Sequence, residues 1–293
     1  MDIKDKNIVV PMDFRPQAEG ALNQAIGIAK LLKRQIVLLY IHQEKGVLSS
    51  IFSKEQTKLF DEAVASKLAG RAKEKSEEYS VEIVWHLMHH NSIHTAIVEF
   101  SQEHKSELIV MGRGEKEDCS FIGANTSRVL RYSKVPVITV CALQEVPQHY
   151  RSILLPLDLT KETRQKVNWG VILAKLFGAK IKVVSALWDK NNENIVKQLK
   201  SQMLQVESFI RKQGVECTTE LVTASEKAKT LVPIILKYVE DQGDIDMILI
   251  MTQQETGITE FFMGSYASEL IRKAKVPVMS IIPHDTGKII WGV

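Results

Sequence analysis

Cysteine is scarce in this chain of 293 residues, which has only Cys119, Cys141 and Cys217 and no CxxC pair. An odd, widely spaced set does not form a disulfide framework or a zinc ribbon, so we expect three free thiols in a reducing compartment. Long apolar runs are lacking as well. The first one begins at Ile8 and is interrupted by Asp13, and none approaches the ~20 residues of a membrane span. We therefore expect a cytoplasmic protein with neither a signal peptide nor a membrane partner.

An excess of charge of one sign is also absent, since 38 Lys and Arg stand against 35 Asp and Glu, a formal net charge of +3. No basic run is interleaved with aromatic residues, which argues against a nucleic-acid partner. No Ser-His-Asp arrangement, paired-carboxylate motif or GxSxG turn is visible. We expect no catalytic residues and a protein that is not an enzyme.

The chain does contain a long internal repeat. The stretch Asn-Ile-Val-Val-Pro-Met-Asp at 7–13 is echoed by Ser-Ile-Leu-Leu-Pro-Leu-Asp at 152–158, and Ser-Lys-Val-Pro-Val-Ile at 133–138 by Ala-Lys-Val-Pro-Val-Met at 274–279. A period of roughly 145 residues is that of a whole domain. We therefore predict two similar domains, at 1–143 and 151–293, joined by a linker at about 144–150.

Within each half, short β-branched runs alternate with helical patterns. In the first half we predict strands at 8–10, 36–41, 81–88, 108–111 and 137–140, and helices at 21–32, 51–80, 92–104 and 125–132. The second half repeats this order. Alternating strands and helices indicate a parallel sheet with helices on both faces. The predicted fold class is α/β, with two tandem Rossmann-like or flavodoxin-like domains, each a five-stranded parallel doubly wound sheet.

These elements together resemble the universal stress protein family. The elements are the strand-Pro-x-Asp start, a Met-Gly turn after the fourth strand of the first half, a Gly-containing helix start and a closing Lys-Val-Pro-Val strand. The resemblance implies ATP or another adenine nucleotide as ligand, with Mg²⁺ if bound. It further implies that an Asp after the first strand meets the adenosine end. The phosphates would lie on a G-x-x-G-x(9)-G-[S/T] loop before the last helix.

Both halves depart from that loop pattern. In the first half, Gly112, Gly114 and Gly123 are retained with each interval one residue short, Ala124 replaces the hydroxyl residue, and Asn125 or Thr126 can cap the helix instead. Acidic residues at 115, 117 and 118 oppose a phosphate nearby. In the second half Gly264 and Ser265 are retained, while Thr252 takes the place of the first glycine.

The predicted nucleotide-binding residues are therefore of three kinds. Asp13 and Asp158 follow the first strands, although each carboxylate can instead simply cap its own loop. Ile41 and Ala186 end the second strands. The loop contributes Gly112, Gly114, Gly123, Asn125, Thr126, Gly264 and Ser265.

The sequence gives less support for a metal site or for a reactive thiol. His86, His89, His90 and His94 form a local cluster, but the turn at Asn91-Ser92 separates the last two, no Cys or carboxylate completes a ligand set, and we predict a solvated loop without metal. Acidic neighbours of Cys119 favour an inert thiol there.

Three functions are compatible with these features. The first is a stress-response binding or signalling protein that holds an adenine nucleotide in at least one half and acts on an unknown protein partner. The second is a nucleotide-free interaction scaffold. The third is a weak ATPase, which would need a phosphate-directed cation such as Arg113 or Lys116. The resemblance also implies an intramolecular pseudo-dimer in which strands 137–140 and 278–282 pair, and a homodimer of the chain is possible.

Overall fold

The computed structural model describes residues 2–44, 53–114, 121–141, 145–157, 163–187, 193–223, 230–252 and 265–281. The chain divides into two compact units, with the division between Pro147 and Gln148. Each unit has its own apolar core.

The first unit alternates strands and helices along its described length. Its elements are β1 (Ile8–Pro11), α1 (Pro16–Leu32), β2 (Ile36–Gln43), α2 (Lys54–Tyr79), β3 (Ile83–His90), α3 (Ile93–Glu103), β4 (Leu108–Gly112), α4 (Ala124–Tyr132) and β5 (Val137–Val140). The strands pair in the order β3-β2-β1-β4-β5, all parallel. The chain moves outward from β1 to β3 and then restarts on the other side with β4. Strand order therefore reverses between β1 and β4.

The second unit repeats this arrangement. Its elements are β6 (Ser152–Leu157), α5 (Thr163–Phe177), β7 (Lys180–Leu187), α6 (Glu193–Lys212), β8 (Cys217–Thr223), α7 (Val232–Gln242), β9 (Ile245–Met251), α8 (Ser265–Lys273) and β10 (Val278–Ile281). The strands pair in parallel in the order β8-β7-β6-β9-β10. The prediction of two doubly wound, five-stranded parallel sheets is confirmed.

The apolar runs of the sequence form the centre of each sheet. Ile8, Val9 and Val10 of β1 are fully buried, as expected of a strand that is covered by helices on both faces. The apolar stripe of α1, which includes Leu22 and Ile26, is equally buried. Burial of side chains of this size stabilises the fold by about 1.5–3 kcal/mol each.

The predicted boundaries differ from the observed ones at several elements, among them α1, which begins at Pro16 and not at 21, and β3. The third strand was predicted to end at 88, but it continues to His90 because β2 supplies pairing partners along the whole segment.

The long helix α2 begins with a capping box at Ser53. The Ser53 hydroxyl accepts from the Gln56 N–H, and the Gln56 side chain accepts from the Ser53 N–H. At the end of the predicted linker, Tyr150 is buried and stacks on Phe177 with ring centroids 4.5 Å apart.

Two leucines of α1 provide a direct test of this core. Leu22 is fully buried, whereas Leu31 is 37% exposed. Leu22→Ala is expected to lower the free energy of unfolding by about 2–5 kcal/mol, because it removes buried methyl groups and leaves a cavity. Leu31→Ala should cost less than about 1 kcal/mol. Urea unfolding followed by circular dichroism measures both, and equal losses would contradict the assigned core face of α1.

Candidate functional site

A cleft of about 400 Å³ opens in the first unit where strand order reverses. The carboxyl ends of β1, β2 and β4 and the first turn of α4 surround it, and α1 and α3 complete its walls. This is the place where doubly wound sheets bind ligands, since helices on opposite faces leave the strand ends open there. The volume lies within the range of about 300–1,000 Å³ that is usual for small-molecule sites.

The structure brings the seven predicted binding residues of the first half together in this cleft. They are Asp13, Ile41, Gly112, Gly114, Gly123, Asn125 and Thr126. These residues come from four separate segments of the sequence. The first and last of them, Asp13 and Thr126, are more than a hundred positions apart. Their convergence follows from the parallel pairing of β1 with β2 and with β4.

Asp13 lies directly after β1 with more than half of its side chain exposed. One carboxylate oxygen accepts the backbone N–H of Arg15 at 3.1 Å, and the other lies 3.7 Å from Nε of the same residue. Asp13 therefore fixes the turn into α1, which is the alternative role that the sequence allowed for this carboxylate. It also lines the cleft. Phe14 between them has φ of 62°, a left-handed conformation that costs a non-glycine residue about 1 kcal/mol or more.

Tyr40 is a wall of the cleft that the sequence did not single out. Burial raises the pKa of its hydroxyl, and the negative charges of Asp13 and Asp61 raise it further. The phenol therefore remains a neutral hydrogen-bond donor at physiological pH. Ile41 follows it at the carboxyl end of β2 and pairs with Met88 of β3.

The three glycines of the first loop have different structural requirements. A Cβ on Gly112 would lie 2.4 Å from the backbone oxygen of Gln17 in α1, so the close approach of this helix requires glycine. Gly114 has φ of 75°, which favours glycine for conformational reasons. A Cβ on Gly123 would meet only the Thr126 hydroxyl, at 3.9 Å. Motif spacing alone does not distinguish these three cases.

The N-terminus of α4 faces the cleft through residues Gly123, Ala124, Asn125 and Thr126. Gly123 is the N-cap and no side chain caps the helix, so the predicted cap by Asn125 or Thr126 is not made. The Thr126 hydroxyl instead donates to the carbonyl of Gly112 at 3.1 Å, which ties the helix to the end of β4. The first turn of α4 carries no acidic residue. Its N–H groups and helix dipole therefore favour an anion at this position.

Arg113 lies between the glycines but is only 1% exposed, and it does not line the cleft. Burial lowers the pKa of its guanidinium to about 10, which leaves it charged at neutral pH. Its backbone N–H donates to the carbonyl of Val140 at 2.9 Å. The side chain is thus buried inside the protein and is not exposed in the cleft. Lys116, the other predicted cation, lies outside the described residues.

The predicted site of the second half is only partly described. Asp158 and Gly264 lie outside the described residues, and Ser265 is described only as the first residue of α8. Ala186 lies near the end of β7, half-buried and paired with Val222. Thr252 is buried, and its hydroxyl donates to the carbonyl of Ile281 at 3.4 Å. That hydroxyl is engaged within the sheet.

The histidine cluster is not the solvated loop that the sequence predicted. His86, His89 and His90 belong to β3, and His94 is the second residue of α3, so His90 and His94 do not share a helix, as expected. His90 Nδ1 accepts the N–H of Ser92 at 2.9 Å. The prediction of a loop was wrong because pairing with β2 extends the strand through the histidines.

The cysteines also differ from expectation at one position. Cys141 is disulfide-bonded, which contradicts the prediction of three free thiols. Cys217 is a free, buried thiol whose pKa is raised to about 12, first by burial and then by Glu207. Cys119 lies outside the described residues.

Comparison with known proteins gives a consistent result. The sequence model of the universal stress protein family matches residues 5–140 and again 149–281. A universal stress protein of Methanocaldococcus jannaschii is 26% identical over 157 residues, which cover 48% of this chain and 97% of the relative.

Two solved structures share the fold over nearly the whole chain. A universal stress protein from Archaeoglobus fulgidus matches with a TM-score of 0.74 at 17% identity, covering 97% of this chain and 98% of the other. A putative universal stress protein from Pseudomonas aeruginosa matches with a TM-score of 0.68 at 16% identity, covering 95% and 94%. Among the described helices, none combines the length and apolar character needed to cross a membrane.

The different requirements of the loop glycines lead to a testable contrast. Gly112→Ala is expected to lower the free energy of unfolding by about 1–3 kcal/mol, because the new methyl group overlaps the backbone of α1. Gly123→Ala should cost at most about 1 kcal/mol, since the space there is open and only the N-cap preference for glycine over alanine is lost. Thermal or urea unfolding of the two variants measures the difference. A Gly112→Ala protein as stable as Gly123→Ala would show that α1 does not pack as described.

Proposed function

This chain belongs to the universal stress protein family, and from that premise we propose that its first unit binds an adenine nucleotide, ATP or a close relative. Occupancy of the cleft would act as a signal in the cytoplasmic stress response, through a protein partner that distinguishes the filled from the empty state. The proposal concerns binding and signalling. It does not require turnover of the nucleotide.

The main support is the convergence of all seven predicted residues of the first half in one cleft at the reversal of strand order. The resemblance selected these residues from sequence patterns alone. A first site that had lost its ligand would be under no constraint to keep an open helix terminus in α4. Close packing and a positive φ already account for Gly112 and Gly114, so these two glycines do not by themselves argue for a ligand.

The phosphate end of the ligand would lie against the N-terminus of α4. Its first N–H groups have no side-chain cap, and its first turn carries no carboxylate. An anion in that position gains about 0.3–1 kcal/mol from the helix dipole, and up to ~2 kcal/mol where it is partly buried. The exposed guanidinium of Arg15 lines the same cleft and adds a positive charge.

The adenosine end would lie between the carboxyl ends of β1 and β2. The Asp13 carboxylate can accept from ribose hydroxyls there, and the Tyr40 hydroxyl can donate. Ile93 and Ile97 of α3 give the cleft an apolar wall suited to a purine ring. Ile41 would contribute its backbone groups, as the resemblance implies.

The proposed nucleotide site of the second half rests on fewer described residues. Asp158, Ala186, Gly264 and Ser265 remain predicted contacts of a second nucleotide. The buried Thr252 at the position of the first loop glycine favours the first unit as the stronger site. We expect about one nucleotide per chain.

The first experiment is to denature the purified chain and separate the supernatant by anion exchange, followed by thermal unfolding with added ATP, ADP, GTP and adenosine. The expected result is an adenine nucleotide near one per chain, or a rise in the unfolding midpoint with ATP that GTP does not reproduce. An empty protein whose midpoint no adenine compound raises would overturn the proposal in favour of a nucleotide-free scaffold.

Two substitutions then separate the two ends of the ligand. Asn125→Asp places a negative charge at the N-terminus of α4 without changing side-chain shape. It should leave the ligand-free protein equally stable or raise its stability by about 0.3–1 kcal/mol. It should also weaken ATP about 5–30-fold by repelling phosphate, with little effect on adenosine. Asp13→Ala should weaken ATP and adenosine alike, by roughly 10–100-fold, through loss of a charged acceptor.

Isothermal titration with ATP and with adenosine on the wild type and both variants makes this comparison. Adenosine serves as the matched control because it lacks the phosphates. An Asn125→Asp protein that binds both ligands as the wild type does would contradict a phosphate site at α4.

A further inference from the structure

A second group of ligand-type side chains lies at the carboxyl ends of β2 and β3. His42 and His89 are register partners on these neighbouring parallel strands, so their side chains leave the same face of the sheet. Their rings stack with centroids 4.7 Å apart and planes 20° apart. The pairing of the strands thus places two imidazoles side by side.

The carboxylate of Asp61 in α2 faces both rings. Its Oδ1 lies 2.6 Å from Nδ1 of His42, and its Oδ2 lies 2.8 Å from Nε2 of His89. The side chains of His42 and Asp61 are about four-fifths buried, whereas that of His89 is 36% exposed. One nitrogen from each ring and a carboxylate oxygen all lie within 4.8 Å of one another.

We propose that His42, Asp61 and His89 form a binding site for a divalent transition-metal ion, for which Zn²⁺ is the best match. Tetrahedral zinc bonds nitrogen at about 2.0–2.1 Å and carboxylate oxygen at about 2.0–2.2 Å, so ligand atoms lie about 3.3 Å apart. The two contacts of Asp61 with the rings must open by about 0.7 and 0.5 Å to reach that spacing, and the two ring nitrogens, which lie within 4.8 Å of each other, must adopt it as well. Each ring then presents the lone pair of the nitrogen that faces Asp61, which a change of tautomer provides.

An outer carboxylate lies close to the far nitrogen of one of the two rings. Glu44 Oε1 lies 3.7 Å from Nδ1 of His89, the ring nitrogen that does not face Asp61. This contact is too long for a hydrogen bond, but an approach of about half an ångström would let Glu44 accept from Nδ1–H, which fixes the tautomer and strengthens the ligand. The ring edge of Phe60 packs against His42, with centroids 5.3 Å apart at 73°, and restricts that ring. The partly exposed side at His89 leaves room for water as the fourth ligand.

The ligand set narrows the choice of ion. Mg²⁺ and Ca²⁺ prefer sites made entirely of oxygen, and Cu(I) prefers sulfur. Two imidazoles with one carboxylate suit Zn²⁺ and the neighbouring divalent first-row metals. This site lies toward the edge of the sheet, and none of its three ligands lines the nucleotide cleft. It therefore does not depend on the proposed function.

The test uses the full chain without an affinity tag, stripped with a chelator and titrated with Zn²⁺ in competition with a chromogenic chelator. We expect one saturable site per chain and a higher thermal unfolding midpoint with Zn²⁺, with no effect of Mg²⁺ at the same concentration. His89→Ala and the isosteric Asp61→Asn should each weaken binding at least about 10–100-fold, the loss already seen when only an outer-shell partner is removed.

His90→Ala is the matched control, because His90 is adjacent on β3 and its Nδ1 is occupied by Ser92. This variant should bind Zn²⁺ as the wild type does. Circular dichroism without metal verifies that each variant is folded. Wild-type protein loaded with Co²⁺ should show the visible absorption of a four-coordinate ion, a readout that needs no variant.

Four results would overturn the proposal. One is a wild-type chain without a saturable site, and another is a Co²⁺ spectrum identical to that of the free ion. The third is an equal loss of affinity in His90→Ala and Asp61→Asn, which would indicate diffuse binding by surface histidines. Unchanged binding in folded Asp61→Asn and His89→Ala would likewise show that the cluster is only an ion-paired contact between α2 and the sheet.

Discussion

The parallel pairing of β1 with β2 on one side and β4 on the other is the constraint on which the first unit depends. A parallel pair cannot be closed by a tight turn, so each connection must cross a face of the sheet as a helix. Because the chain restarts at β4 on the far side of β1, the crossovers on the two sides cover opposite faces. The carboxyl ends of β1 and β4 are left open between them, and the cleft forms there.

The same constraint explains why most of the fold could be predicted from the sequence. A strand buried on both faces must be apolar throughout, and the residues of β1 and β4 show this pattern. The polar residues that follow, such as Asp13, then mark the open ends of the strands. Register is harder to predict, because pairing partners are distant in sequence. The extension of β3 through His90 depends on its eight-residue register with β2 and has no local signal.

The residues of the first half that the sequence singled out lie together in the cleft, but the structural reason for each of them was not predictable. Gly112, Gly114 and Gly123 look equivalent as motif glycines, yet one is required by helix packing, one by its φ angle and one by neither. The overlap of a Cβ on Gly112 with α1, which lies about a hundred residues earlier, cannot be predicted from the spacing of the glycines. The metal-type cluster was missed for a related reason. Asp61 is 19 positions from His42 and 28 from His89, and only the packing of α2 against the strand ends brings the three together.

Tyr40 connects the chemistry of the cleft with that of the histidine cluster. Burial is the main cause of the raised pKa of its hydroxyl, and the negative charges of Asp13 and Asp61 raise that pKa further. Both carboxylates therefore act on one phenol and add to the effect of burial in disfavouring its ionised form. Tyr40 and Ile41 of β2 line the cleft, and His42 of the histidine cluster follows one position further on. One strand end thus contributes to both environments, and the Tyr40 hydroxyl is acted on by a carboxylate from each of them.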